Sequence, residues 1–215
     1  DINQKKNQFK NTPVVGISDS AFNATMNDSA KHYSLPQEIA EKFDIYRFGY
    51  HGISMQSVVS KIIAKEGSIP PRVIICHIGS GSSIAAIKDG KCFDTSMGFT
   101  PLEGVTMATR IGNIDAGAVI YLAKKTKMKP DDLAVFFNNK CGLLGSSGKS
   151  ADTREIIELE KQGDGRAKLA LDTFAYSIKK YIGAYTAILG GIDMLVFTAT
   201  IGERSFIMRE KIKNL

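Results

Sequence analysis

No run in this 215-residue sequence approaches the roughly eighteen uninterrupted apolar positions of a membrane-crossing helix. The opening Asp1-Ile2-Asn3-Gln4-Lys5-Lys6 also lacks the apolar core of a secretory signal. A soluble protein with no membrane partner is expected. Cysteine is scarce too. Cys76, Cys92 and Cys141 are widely spaced and contain no CxxC pair, which argues against zinc or dithiol redox chemistry. Two of them sit in apolar strand patterns, so buried free thiols in a reducing cytoplasm are expected. The glycine-rich stretch near position 80 lacks the following Lys of a P-loop and the third glycine of a Rossmann loop. There is no internal repeat.

The formal net charge is +6, which invites a nucleic-acid reading. Its distribution speaks against one: residues 1–10 carry +2, residues 203–215 carry +2, and the long middle holds only +2. Basic charge gathered at the ends is not a groove for a polyanion. With 43% hydrophobic and 23% charged residues, the composition is that of a globular chain able to bury a sizeable core.

What is present centres on residues 72–109. Val73-Ile74-Ile75 reads as a buried strand and breaks at His77-Ile78-Gly79-Ser80-Gly81-Ser82-Ser83, before a second apolar run from Ile84 to Ile87. Asp89-Gly90 between strand patterns then signals a hairpin. The glycine loop thus joins strand to strand. Its backbone N–H groups and hydroxyls suit anionic oxygens such as phosphate, and a plain β-turn is the other reading.

Upstream, residues 1–12 are polar, lysine-rich and without period, a flexible lead-in. Pro13 to Asp19 reads as a strand ending in a carboxylate, where ligands meet α/β sheets, although by itself an Asp at this place more often caps a turn or helix. Residues 36–43 read as a helix and Ile45–Phe48 as a short strand. His51 follows in a glycine-flanked turn with no neighbouring apolar run to bury it. Ser54 is expected to cap a helix to Glu66, closed by Gly67, with Val58, Val59, Ile62 and Ile63 on one face. Downstream, Asp94 to Gly104 reads as a polar loop. Arg110, beside a glycine and before a helix at about 116–125, could meet an anion or form a surface ion pair. Pro130-Asp131-Asp132 opens another helix, and Gly142 to Ser150 is a second glycine and serine cluster. Asp152 and Glu155 have capping-box spacing. Leu171, Phe174, Ile178, Ile182, Tyr185 and Leu189 mark one face of a long helix, Met194–Phe197 is a last strand, and Thr198–Glu203 is a turn into a terminal helix.

In their order along the chain, Asp19-Ser20-Ala21-Phe22, Phe48-Gly49-Tyr50-His51-Gly52, His77-Ile78-Gly79-Ser80-Gly81, Asp94 through Gly104, Thr109-Arg110, Gly142-Leu143-Leu144-Gly145 and Phe197 through Glu203 resemble the acetate and propionate kinase family. The segment DTSMGFTPLEG is the most specific. The resemblance implies an α/β nucleotide-binding fold of the actin/Hsp70 (ribonuclease H-like) type, with two domains around a cleft. Residues 1–23 would be the tail end of the first domain and 24–215 most of the second, truncated at its C-terminus. It further implies transfer of the γ-phosphoryl of ATP to acetate or propionate, with Mg2+, in a cytoplasmic homodimer. Asp19 would be the catalytic carboxylate and a candidate Mg2+ ligand, with His51 and Arg110 on the transferring phosphoryl group. His77, Ile78, Gly79, Ser80, Gly81, Asp152, Thr153, Arg154, Thr200, Ile201, Gly202, Glu203 and Arg204 would line the ATP. Asn23, Met55, Ser80, Asn113, Thr200 and Arg204 depart from the family's pattern. A nucleotide-binding remnant without turnover is the alternative reading.

Overall fold

In a computed structural model, residues 12–214 are described. The lead-in expected over residues 1–12 lies almost wholly outside them. A 3-10 turn at Ala21–Thr25 precedes helices α1 (Asp28–Lys31), α2 (Gln37–Phe43) and α3 (Gly52–Glu66). Strands β1 (Arg72–Ile78), β2 (Ser82–Lys88) and β3 (Lys91–Thr95) follow, then helices α4 (Ala116–Thr126), α5 (Pro130–Asn139), α6 (Gly142–Ser147), α7 (Thr153–Lys161) and α8 (Gly165–Leu189). Strand β4 (Met194–Thr198) leads into α9 (Ala199–Arg204) and α10 (Phe206–Asn214).

The four strands form one mixed sheet in the order β3-β2-β1-β4, with β1–β2 and β2–β3 antiparallel and β4 parallel to β1. Asp89 (φ 49°) and Gly90 (φ 79°) both take the left-handed conformation that a two-residue hairpin requires. Alternation along the strands divides the core in two. Ile74, Cys76, Ile78, Ile84 and Ala86 pack against Leu171, Phe174 and Ile178 of α8. Val73, Ile75, Ala85 and Ile87 pack against Met55 and Val59 of α3. The long helix buries the face its periodicity marked, with Leu171, Phe174 and Ile178 fully enclosed.

Several local expectations change. Residues 13–19 form no strand; Val15 and Ile17 are 80% and 76% exposed, and no strand among the described residues pairs with them. Ile45–Phe48 gives a single bridge between Tyr46 and His32 because Arg47 turns inward instead. The Arg47 side chain donates to the carbonyls of Ala30, Thr95, Ser96 and Met97 and pairs with Glu103 at 2.7 Å. That cation holds the Asp94–Gly104 segment, whose Ser96, Met97 and Gly98 are buried, so this is packed structure and not a solvated loop. Helix α3 begins at Gly52, two residues before Ser54, and Ile63 is 43% exposed, off its packed face. The cluster at 142–150 contains α6, and the turn at 198–203 contains α9. Glu155 accepts from the Ser150 hydroxyl and so does not complete a capping box at Asp152.

Candidate functional site

The bend between β1 and β2 is tight: Gly79 N–H donates to Gly81 C=O at 3.1 Å, and Ser82 Oγ donates to Gly79 C=O at 3.1 Å. Ala108 N–H donates to Ser80 C=O at 3.1 Å, tying the bend to the segment that carries Arg110. That segment rests on the start of α6, where Leu143 and Leu144 N–H groups donate to the carbonyls of Met107 and Ala108, each at 2.9 Å. Gly142 (φ 60°) is required there, since a Cβ would lie 2.3 Å from Met107 C=O. The glycine and serine cluster therefore supports the arginine loop.

His51 arrives from the other side. Asp19, 32 residues away, does the capping that Ser54 was expected to do. Its carboxylate accepts from His51 N–H at 2.8 Å and more weakly from Ile53 N–H at 3.4 Å, while its carbonyl accepts from Gly52 N–H at 2.8 Å. Holding His51 at φ 61° drops its ring onto the end of the sheet, stacked on His77 with centroids 4.1 Å apart. Ser54 instead lies 2.8 Å from His77 Nδ1. A methyl group at Gly81 would sit 3.3 Å from an Arg110 guanidinium nitrogen and 3.5 Å from His51 Nε2. Arg110 and His51 thus converge over the bend, with Asp19 directly behind His51.

Arg110 makes no ion pair among the described residues; its side-chain hydrogen bond there is a long one to the Met107 sulfur at 4.0 Å. A cation left without a carboxylate beside a glycine bend is suited to an incoming anion. Burial lowers the His51 pKa; Asp19 pulls it back up and Arg110 pushes it down again. His77 is pushed down to about 4, by burial first and then by His51. Both shifts favour the neutral ring at pH 7.

The bend and Arg110 form one end of a cleft of about 970 Å³. Ser80, Gly81, Asp152, Thr153, Arg154, Thr200, Ile201 and Arg204 all face it. His77, Ile78, Gly79, Gly202 and Glu203 do not: Ile78 is core, Gly202 is buried behind the wall, and Glu203 accepts from Thr198 Oγ1. Asp19 and His51 lie beside its inner end, outside its walls. Asp152 caps α7 through Arg154 N–H and pairs with the Arg154 side chain, which holds its carboxyl below the usual range. Ala108 and Thr109 line the cleft beside Arg110, and Ala151, Ile157, Glu158, Ser205, Phe206 and Ile207 also line it. Sequence reasoning misses them because they read as ordinary residues near helix starts; only 65% exposure of an aromatic, Phe206, sets one apart, and only once folded.

No cluster of three or more metal-ligating side chains occurs among the described residues. Asp19 keeps an oxygen with only the 3.4 Å contact to Ile53, so it could serve as a lone protein carboxylate for an ion otherwise held by phosphate oxygens and water.

All of residues 1–215 match the model of the family described as the Acetokinase family. The acetate kinase of Bacteroides thetaiotaomicron is 48% identical over 204 residues, covering 94% of this chain and 51% of that protein. Among solved structures, Porphyromonas gingivalis acetate kinase aligns with a TM-score of 0.88 at 42% identity, over 90% of this chain and 49% of that one. A propionate kinase from Francisella tularensis aligns with a TM-score of 0.93 at 36% identity, over 98% and 55% respectively. The chain spans about half the length of the curated relatives it matches. Its mixed α/β sheet is shared with solved acetate and propionate kinases, and the fold is of the actin/Hsp70-like type. On the strength of the match over its whole length, this chain belongs to the acetokinase family.

Proposed function

We propose that the protein containing this chain transfers the γ-phosphoryl group of ATP to a short carboxylate, acetate or propionate. The observation that carries the reading is the Arg110 guanidinium, without an ion pair among the described residues, meeting His51 over the Gly79–Gly81 bend, at one end of a cleft of nucleotide size. A carboxylate acceptor is ionised near pH 7, since such groups titrate around 4, so no strong base is needed. Catalysis then rests on positioning and on countering charge on the equatorial oxygens.

Arg110 presents a planar fork for two of those oxygens, and His51 supplies a hydrogen bond without adding charge. Asp19 orients the turn that carries His51. Ser80 and Gly81 would take phosphates, and the walls formed by residues 151–154, 200–201 and 204–207 the rest of the nucleotide. Mg2+, held by Asp19 and the phosphates, would neutralise charge on the β- and γ-oxygens. Residues 1–23 are read as the close of one domain and 24–215 as most of a second. A cytoplasmic homodimer is part of the same reading.

The test is acyl phosphate formation by the full-length protein with ATP, Mg2+ and either acetate or propionate. Turnover is expected, and Arg110→Lys should lower kcat by about a hundredfold or more, because a bidentate fork becomes a point charge. An unchanged kcat in that variant would remove Arg110 from the chemistry. Nucleotide binding without turnover by the full-length protein would overturn the kinase reading.

A further inference from the structure

Strand alternation brings a serine to His51. Val73, Ile75 and His77 of β1 and Ser83, Ala85 and Ile87 of β2 point to the face covered by α3, and His77 and Ser83 are direct cross-strand partners. Because His51 is the residue immediately before α3, the ring lands where that face ends. His51 Nδ1 lies 3.0 Å from Ser83 Oγ. Ser83 is completely buried, and among the described residues its hydroxyl has no other hydrogen-bond partner.

We propose that Ser83 is a positioning residue that holds His51 as its Nε2–H tautomer, so that the ring offers a hydrogen-bond donor above Gly81. The reasoning is an accounting of protons. A buried hydroxyl must spend its O–H on an acceptor, and the acceptor within reach is His51 Nδ1. An Nδ1 that accepts carries no proton, so the neutral ring keeps its proton on Nε2. The opposite tautomer would point Nδ1–H at Ser83 and leave the buried O–H without a partner. The imidazolium would do the same. The charged and titratable groups around the ring are Asp19 behind it, His77 stacked on it and Arg110 across the bend. An Nε2–H donor beside Arg110 serves a transferring phosphoryl group, and that role rests on the phosphotransfer reading above.

The test uses full-length protein labelled with 15N in the histidine rings, observed by NMR at pH 7.5 through the two-bond couplings that distinguish the ring nitrogens. The wild type should show a pyridine-type Nδ1 and a protonated Nε2 for His51. Ser83→Ala, which removes only one oxygen, should give averaged shifts and lower kcat by about five- to tenfold, with the KM for ATP changed less than about twofold. A wild-type His51 protonated on Nδ1, or on both nitrogens, would overturn the inference whatever the activity. So would a Ser83→Ala variant with an unaltered tautomer signature. If the signatures are as expected but the wild type makes no acyl phosphate, the hold of Ser83 on the ring stands and the kinase reading fails.

Discussion

Gly81 has no side chain to spare: Arg110 and His51 already occupy the space around it. Gly81→Ala would push the Arg110 guanidinium by a few tenths of an ångström, and displacement of that order should cost about threefold to tenfold in kcat. Steady-state kinetics on the full-length protein checks this, with a urea melt expected to show stability within about 1 kcal/mol of wild type. His77 supports a second prediction. Its folded pKa of about 4 lies below the ordinary 6.5, so between those values the unfolded chain binds more protons than the folded one. Stability is therefore fully present above about pH 6.5 and is lost as pH falls towards 4. The loss should be about 1–2 kcal/mol, discounted because the ring keeps partial contact with water. Denaturant melts from pH 7 to 4 would measure it, and a His77→Gln variant should flatten the slope.

Among the elements, α9 starts under strain. Ala199 has φ 65°, a conformation that disfavours any residue with a Cβ, and it opens the helix that carries Thr200 to Arg204 to the cleft. Ala199→Gly should raise stability by about 0.5–1 kcal/mol in a urea melt. Legibility also divides by element. The β1–β2–β3 hairpins and α8 could be read directly, since Asp89-Gly90 and the spacing from Leu171 to Leu189 encode them locally. Residues 13–19 and 45–48 looked like strands because they are apolar and β-branched or aromatic. A strand needs a partner, which no local pattern supplies, and Arg47 was recruited to carbonyls far along the chain.

Considered as a whole, the molecule places β1–β2, α7, α9 and α10 around one cleft. Nucleotide at about a hundred times its Kd should stabilise the full-length protein by about 2.7 kcal/mol, a rise in Tm of roughly 3 °C for a chain about twice this length. Ala151→Trp, which places an indole in that cleft, should abolish the rise while leaving the melt without nucleotide within a few degrees. Equal protection of the variant and the wild type would show that nucleotide binds elsewhere. The candidate site was legible to the extent that its motifs are contiguous: Ser80 and Gly81 of the bend, Arg110, the segment at 152–154, and Thr200, Ile201 and Arg204. Phe206, Ser205 and Ala151 were not, because a wall is a property of several elements at once.

The sequence by itself determined the strand-bend-strand unit, the long apolar helix face and the residue types able to handle phosphate, since each depends on spacing within a few turns or strands. The tertiary structure alone decided that Asp19 would cap a helix 32 residues away, that Arg110 would pair with no carboxylate among the described residues, and that Ser83 would be His51's neighbour. Those outcomes depend on which surfaces meet when two core layers close on one sheet, and no local pattern records that.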